Sequence, residues 1–174
     1  MKRILVVYYS LSGHTEFVAQ QLAAQCQADL EPIKDRHSRR GALGYLRSVL
    51  EALFGGRPAI ERARRRPGNY DLVILGTPVW AWNVASPLRT WLERHRNELK
   101  HVALFCTCGG SGHAKVLDDL ERLCGHAAQA RLVMTERAIG QCQSDPAFRR
   151  FLQDIGREPP SRSSLPSTPD QATA

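Results

Sequence analysis

Hydroxyl side chains that could bind an anion follow the first apolar run of the chain. Residues 4–9 are all aliphatic or tyrosine, which is typical of a strand buried on both faces of a parallel sheet. Residues 10–15 then read Ser-Leu-Ser-Gly-His-Thr, and a helical pattern with apolar side chains four residues apart follows them. The start of a helix offers free backbone N–H groups and a positive dipole end. We therefore expect residues 10–15 to bind a phosphate group.

This loop has no positive counter-charge in the sequence. No lysine or arginine lies between Tyr8 and Phe17, so hydrogen bonds and the helix dipole would have to hold the phosphate. The glycine-lysine pattern of P-loops that hydrolyse nucleoside triphosphates is also missing from these residues. The structural alternative is an N-capped helix after a core strand, without any ligand.

Two further loops carry residues suited to a flat polar ring. Residues 77–83 contain two tryptophans beside Pro78, and residues 107–112 contain three glycines. Tryptophan faces stack on aromatic ligands, and glycines let the backbone come close to a ligand. Both loops follow apolar runs, and ligands of open parallel sheets bind beyond the carboxyl ends of the strands, where the winding reverses. We expect all three loops to line one crevice.

The apolar runs that must position these loops alternate between strand and helix patterns. The predicted strands cover residues 4–9, 29–34, 72–75, 101–107 and 130–135. The first predicted helix begins near residue 15. Four more cover residues 43–54, 87–96, 114–124 and 146–155. This alternation predicts an α/β fold, a doubly wound five-stranded parallel sheet of order 2-1-3-4-5 with helices on both faces. Pro32 suits an edge strand, because proline cannot donate to a β-ladder.

Length and composition predict one domain. The 174 residues are 43% hydrophobic and 24% charged, as in an ordinary globular protein. We assign residues 1–156 to the domain and expect residues 157–174, rich in proline, serine and threonine, to form a flexible tail. No apolar run approaches the roughly 20 residues that span a bilayer. The five irregularly spaced cysteines predict reduced thiols in a cytoplasmic protein and no structural metal site.

Positive charge is concentrated in one segment. Residues 34–66 contain ten lysines or arginines and three acidic residues, so this segment accounts for the whole net charge of +7. A solvated surface loop is the ordinary explanation for the arginine run at residues 62–66. An anionic partner for residues 34–66 is the functional alternative, whereas nucleic acid is not expected.

The hydroxyl loop resembles a loop of a known family. Ser10-x-Ser12-Gly13-His14-Thr15 is similar to the FMN-phosphate loop of flavodoxins, usually Ser/Thr-x-Thr-Gly-Asn-Thr, with serine replacing threonine at Ser12 and histidine replacing asparagine at His14. Residues 76–83 and 105–112 resemble the two flavin-ring loops of small bacterial, short-chain flavodoxin-like proteins. The resemblance covers residues 1–156. Electron-carrying flavodoxins are usually acidic, so the basic charge of this chain is a departure from the family pattern.

The resemblance implies FMN as the cofactor and assigns its binding residues. The phosphate would be bound by Ser10, Leu11, Ser12, Gly13, His14 and Thr15. The ring would meet Thr77, Pro78, Val79, Trp80, Ala81, Trp82 and Asn83 on one side, and Thr107, Cys108, Gly109 and Gly110 on the other. The face of Trp80 or Trp82 would cover the ring. No catalytic acid–base pair and no metal ligand are expected.

The implied function is electron transfer between larger partner enzymes through a non-covalent flavin. One alternative is a NAD(P)H-dependent quinone or flavin reductase on the same fold, with arginines binding the phosphates of the nicotinamide cofactor. A second is a basic adaptor that binds anionic surfaces and retains a vestigial crevice. Cys106 and Cys108 are interpreted as buried small side chains and Trp91 as a core residue.

Overall fold

A parallel sheet forms the centre of the molecule. The computed structural model describes residues 2–36 and 57–156. Its strands are β1 (Ile4–Tyr8), β2 (Asp29–Pro32), β3 (Leu72–Trp80), β4 (Asn83–Val84), β5 (Val102–Cys108) and β6 (Arg131–Thr135). The strand order is β2-β1-β3-β5-β6, all parallel, and β4 pairs antiparallel with the end of β3. Without the short β4, this is the predicted order 2-1-3-4-5, so the fold prediction is confirmed.

Helices cover both faces of the sheet. They are α1 (His14–Cys26), α2 (Ser86–His95), α3 (His113–Cys124), α4 (Glu136–Ile139) and α5 (Pro146–Gly156). Side chains of α2 and α3 pack in one core cluster with Leu5 and Val7 of β1. Side chains of α1 and α5 pack in a second cluster with Val6 and Tyr8. The two faces of β1 are both buried because its side chains alternate between these two clusters.

Two predicted features lie outside the described residues. They are the helix at residues 43–54 and the tail at residues 157–174. Within the described ranges, no helix is both long enough and apolar enough to cross a membrane.

The edge of β2 is lined by residues that follow the undescribed range 37–56. The N–H groups of Arg36 and Glu61 donate to the carbonyls of Ala59 and Lys34 at 3.0 and 2.8 Å. The buried carboxylate of Glu31 then accepts the N–H groups of residues 64 and 65 at 3.0 and 3.2 Å. We call residues 59–66 the edge segment.

The third parallel strand is longer than the sequence predicted. The prediction ends this strand at residue 75, with Gly76 and Thr77 closing it, because glycine is typical of turns and loops. In the structure β3 continues to Trp80, and Pro78 still pairs with Thr107 of β5. Gly76 is required by packing: a Cβ atom there would lie 2.1 Å from Cζ of the buried Phe105 ring. The glycine marks a close contact, and the loop predicted at residues 77–83 is mostly a β-hairpin.

Candidate functional site

The sheet order brings the three predicted segments to one edge. β1, β3 and β5 are adjacent and parallel, so their carboxyl ends point the same way. Residues 10–15 follow β1, the β3–β4 hairpin lies at the end of β3, and residues 109–112 follow β5. The three segments therefore meet at one edge of the sheet, where the sequence predicts a ligand crevice.

The hydroxyl loop presents an uncapped helix start. Gly13 is the N-cap residue of α1, with a left-handed φ of 92°, and no side chain caps the helix. The Gly13 N–H donates to Ser10 Oγ at 3.1 Å, which fixes the loop, while Ser12 and His14 are exposed. The first N–H groups of this 13-residue helix therefore have no side-chain cap, and the exposed Ser12 hydroxyl lies just before them in the chain. These donors suit an oxyanion.

Thr15 has a structural bond that the sequence did not reveal. It is 1% exposed, and its Oγ1 lies 2.8 Å from Oγ1 of Thr107, which is also buried. The pair joins the first turn of α1 to β5. In this arrangement Thr15 positions the hydroxyl loop relative to the glycine loop, and its hydroxyl is already hydrogen-bonded to Thr107.

His14 lies beside an acidic side chain. Its Nδ1 is 3.9 Å from Oε1 of Glu136 at the start of α4, and both side chains are about half exposed or more. Glu136 is far from His14 in the chain, so the sequence carries no signal of this contact. The histidine is accessible to a ligand of the hydroxyl loop.

The β3–β4 hairpin turns in two residues. Ala81 and Trp82 have φ values of 45° and 57°, as a type I′ turn requires at both central positions. At the base of the hairpin, Thr77 is fully buried; its hydroxyl donates to the Pro78 carbonyl and accepts the Ala85 N–H, at 3.0 and 3.1 Å. Thr77 therefore holds the hairpin and does not offer a free hydroxyl.

The two tryptophans of the hairpin have different environments. Trp80 is 7% exposed and packs edge to face against Tyr9, with ring centroids 5.4 Å apart. Trp82 is 61% exposed. The sequence left both indoles as candidates to cover a ring, and in this structure Trp82 is the one whose faces are accessible. Pro78, Val79 and Asn83 of the same hairpin are half-buried.

The glycine loop lies against the exposed indole. A Cβ at Gly112 would be 2.1 Å from Cδ1 of Trp82, and Trp82 Nε1 donates to Ser111 Oγ at 3.4 Å. Cβ atoms at Gly109 and Gly110 would meet no atom within 4 Å, so this part of the loop borders open space. Ser111 and Gly112 lie against this indole and are therefore further candidates for the site, beyond the residues up to Gly110 that the sequence assigns.

The cysteines near the site are not exposed. Cys108 is the last residue of β5 and is 4% exposed, so it lies in the strand and not in the loop where the sequence placed it. Cys106 is fully buried, and burial, with a smaller contribution from Cys108, raises its pKa to about 12. Both are reduced in the structure. Their interpretation as buried small side chains agrees with this placement, as does that of Trp91, which is 2% exposed.

The residues at this edge fit a flavin mononucleotide. Uncapped N–H groups and the Ser12 hydroxyl suit its phosphate, and the indole of Trp82 offers a face for a ring. Open space at Gly109 and Gly110 lets backbone groups reach a polar ring edge. The fit does not depend on a charged side chain.

A doubly wound sheet with this order and with ligand loops at the β1–β3 reversal defines a flavodoxin-like α/β protein. A family model described as Flavodoxin matches residues 3–143. The chain belongs to the flavodoxin family. This agrees with the resemblance that residues 10–15 suggested.

Solved structures support the same assignment. A flavoprotein from Lactobacillus acidophilus NCFM, in complex with FMN, is 26% identical, covers 83% of this chain and 100% of its own, and has a TM-score of 0.66. A Bacteroides eggerthii DSM 20697 protein is 27% identical, covers 91% of this chain and 100% of its own, and has a TM-score of 0.72. The two-electron reduced flavodoxin from Megasphaera elsdenii is 17% identical, with coverage of 89% and 99% and a TM-score of 0.56, which shows a shared fold.

Proposed function

We propose that this protein binds FMN non-covalently and transfers electrons through it. The observation that carries the proposal is the meeting of an uncapped helix start, an accessible indole and an open glycine loop at one sheet edge. Family membership and the FMN complex of the Lactobacillus protein support FMN as the cofactor. When bound, the flavin supplies one- and two-electron chemistry that the side chains of this site cannot perform.

The protein's own groups bind and orient this cofactor. The N–H groups at the start of α1 and the Ser12 hydroxyl bind the phosphate, and His14 can donate a further hydrogen bond from its exposed position. Trp82 covers the ring on the hairpin side, and Gly109 and Gly110 admit backbone N–H groups to its polar edge. Thr15 and Thr107 fix the distance between the phosphate and ring subsites through their shared hydrogen bond.

An FMN titration of the purified protein tests the binding site. We expect a yellow protein whose tryptophan emission is quenched by FMN at micromolar concentrations. Ser12→Asp places a carboxylate beside a dianion and should abolish binding, whereas Trp82→Ala should weaken binding and restore flavin fluorescence. Gln153→Asp adds the same charge on an exposed position of α5 and is the matched control. Normal FMN affinity in both site variants would refute the placement.

Mixing the holoprotein with NADPH or NADH distinguishes the carrier from a reductase. An electron carrier should keep its flavin absorbance until a partner reductase is added. Bleaching by the nicotinamide alone, at a rate that saturates with its concentration, would make the protein an NAD(P)H-dependent reductase instead. The exposed arginines at positions 62, 64 and 66 are the groups that would then bind the nucleotide phosphates.

A further inference from the structure

The turn that carries Trp82 is conformationally unfavourable by itself. Both central residues have positive φ, although neither is glycine, asparagine or aspartate. A side chain with a Cβ atom crowds the backbone in this region, so the turn needs support from its surroundings. Its stability decides where the indole of Trp82 lies.

A lysine from another element supplies that support. Lys115 is in the first turn of α3, and its Nζ donates to the Trp82 carbonyl at 3.2 Å and to Asn83 Oδ1 at 3.0 Å. Asn83 Nδ2 in turn donates to the Ala81 carbonyl at 2.7 Å. The ammonium group therefore binds the turn directly at two residues and indirectly at the third.

The lysine is itself held in position by a buried carboxylate. Lys115 Nζ lies 2.8 Å from Oδ2 of Asp119, one helical turn along α3, and the Asp119 residue is only 9% exposed. Arg122 binds the other carboxylate oxygen and, within the described part of the chain, makes no hydrogen bond or ion pair with the hairpin. Three acceptors thus fix an ammonium group whose side chain is 55% exposed to solvent. A surface lysine without such acceptors would be free to rotate.

We propose that Lys115 is a positioning residue that keeps the Ala81–Trp82 turn in its left-handed form and thereby holds the Trp82 indole against Gly112. Its predicted effect on FMN rests on the proposed function, because Trp82 is the indole that covers the ring. Its effect on the conformation of the turn does not depend on FMN binding. The FMN-free protein can therefore test the positioning role separately.

Tryptophan quenching in the FMN-free protein is the first test. Of the chain's three tryptophans, Trp80 and Trp91 are buried, so acrylamide quenching reports mainly on Trp82. Lys115→Met should raise the quenching constant and shorten the rotational correlation time of the exposed indole. Arg122→Met removes the other cation from Asp119 without touching the hairpin, and it should leave both quantities at their wild-type values.

FMN dissociation from the holoprotein is the second test. Lys115→Met should accelerate dissociation roughly three- to tenfold, since two hydrogen bonds to a half-exposed charged group are lost. Ala81→Asn in the same chain should recover most of this loss, because asparagine tolerates the left-handed conformation that alanine resists. Recovery by a residue that carries no charge would identify support of the turn, and not the lysine charge, as the cause.

The outcomes separate the two proposals. Equal quenching constants for Lys115→Met, Arg122→Met and the wild type would overturn the positioning role, whether or not FMN binds. Raised quenching in Lys115→Met together with no FMN binding by the wild type would confirm the positioning role and refute the proposed cofactor. Faster FMN dissociation that Ala81→Asn does not reduce would also overturn the assignment to the turn.

Discussion

At the scale of single residues, the buried hydroxyl pair Thr15–Thr107 connects the two halves of the site. The two hydroxyls are hydrogen-bonded to each other, and both residues are almost completely buried. A buried hydroxyl that loses its partner retains its desolvation cost, whereas replacing both hydroxyls with methyl groups removes that cost. The pair is therefore a sensitive place to measure coupling between the proposed phosphate and ring subsites.

We expect Thr107→Val to lower the free energy of unfolding by about 1–3 kcal/mol, because Thr15 Oγ1 is left unpaired. The double variant with Thr15→Val should be closer to the wild type than the single variants are. Urea unfolding of FMN-free protein measures this, since bound FMN would add its own stabilisation. Additive effects of the two substitutions would contradict a coupled pair.

Buried thiols make the free energy of unfolding depend on pH in the alkaline range. Burial raises the pKa of Cys106 and of Cys124 to about 12, from the ordinary value of 9.0. The folded state thus favours the protonated thiol, and this contribution is complete below pH 9 and lost as the pH rises towards 12. We expect the free energy of unfolding to fall above about pH 9 and Cys106→Ala to make the decline shallower. Urea unfolding at several pH values checks this, and an unchanged slope in Cys106→Ala would refute it.

At the scale of elements, the contact between β3 and β5 depends on the absence of a side chain at Gly76. Because a Cβ there would collide with the fully buried Phe105 ring, we expect Gly76→Ala to destabilise the protein by about 1–3 kcal/mol. Gly140→Ala is the matched control: it has space around its Cβ and a φ of −62° that alanine adopts readily. Thermal unfolding compares the two variants. Phe105→Leu combined with Gly76→Ala should recover part of the loss, and no recovery would exclude the ring contact as its cause.

At the scale of the whole molecule, uncompensated positive charge lies along the edge segment. Arg62, Arg64 and Arg66 are exposed, and in the described ranges none of them has an acidic side chain as partner. Of the nearby acids, Glu31 binds backbone N–H groups, and Asp29 binds Arg65 and the Tyr70 hydroxyl. Those bonds, the Tyr70 hydroxyl first, hold the pKa of Asp29 below its usual range. The exposed Glu61 offsets only part of the charge of the arginines, so the edge segment keeps an excess of positive charge. We propose that a partner of this candidate electron carrier presents an acidic surface to this edge.

Electron transfer to small charged oxidants tests whether the positive charge of the edge segment attracts anionic partners. The reduced holoprotein should react faster with ferricyanide than with a cationic cobalt(III) complex of similar driving force, and added salt should reduce the difference. Replacing Arg62, Arg64 and Arg66 with glutamate should slow the ferricyanide reaction, measured by stopped flow. The same change at Arg149 and Arg150, which are exposed on α5, is the control. Equal rates for the two sets of variants would refute a steering role for the edge segment.

The local sequence determined the strands, their order and the position of the hydroxyl loop, because these follow from apolar runs, helix starts and the rules of parallel sheets. The sequence does not distinguish Trp80 from Trp82, because both lie in the same short stretch after Pro78. The two differ only in the side chains that surround them in the folded protein. Gly76 was misinterpreted as the end of a strand for the same reason, because the Phe105 ring that requires it belongs to another strand. Lys115 and the Thr15–Thr107 bond had no signal at all in the sequence. Features that depend on near neighbours in the chain are therefore predictable from the sequence. The tertiary structure decides the features that depend on residues distant in the chain, because those residues meet only after folding.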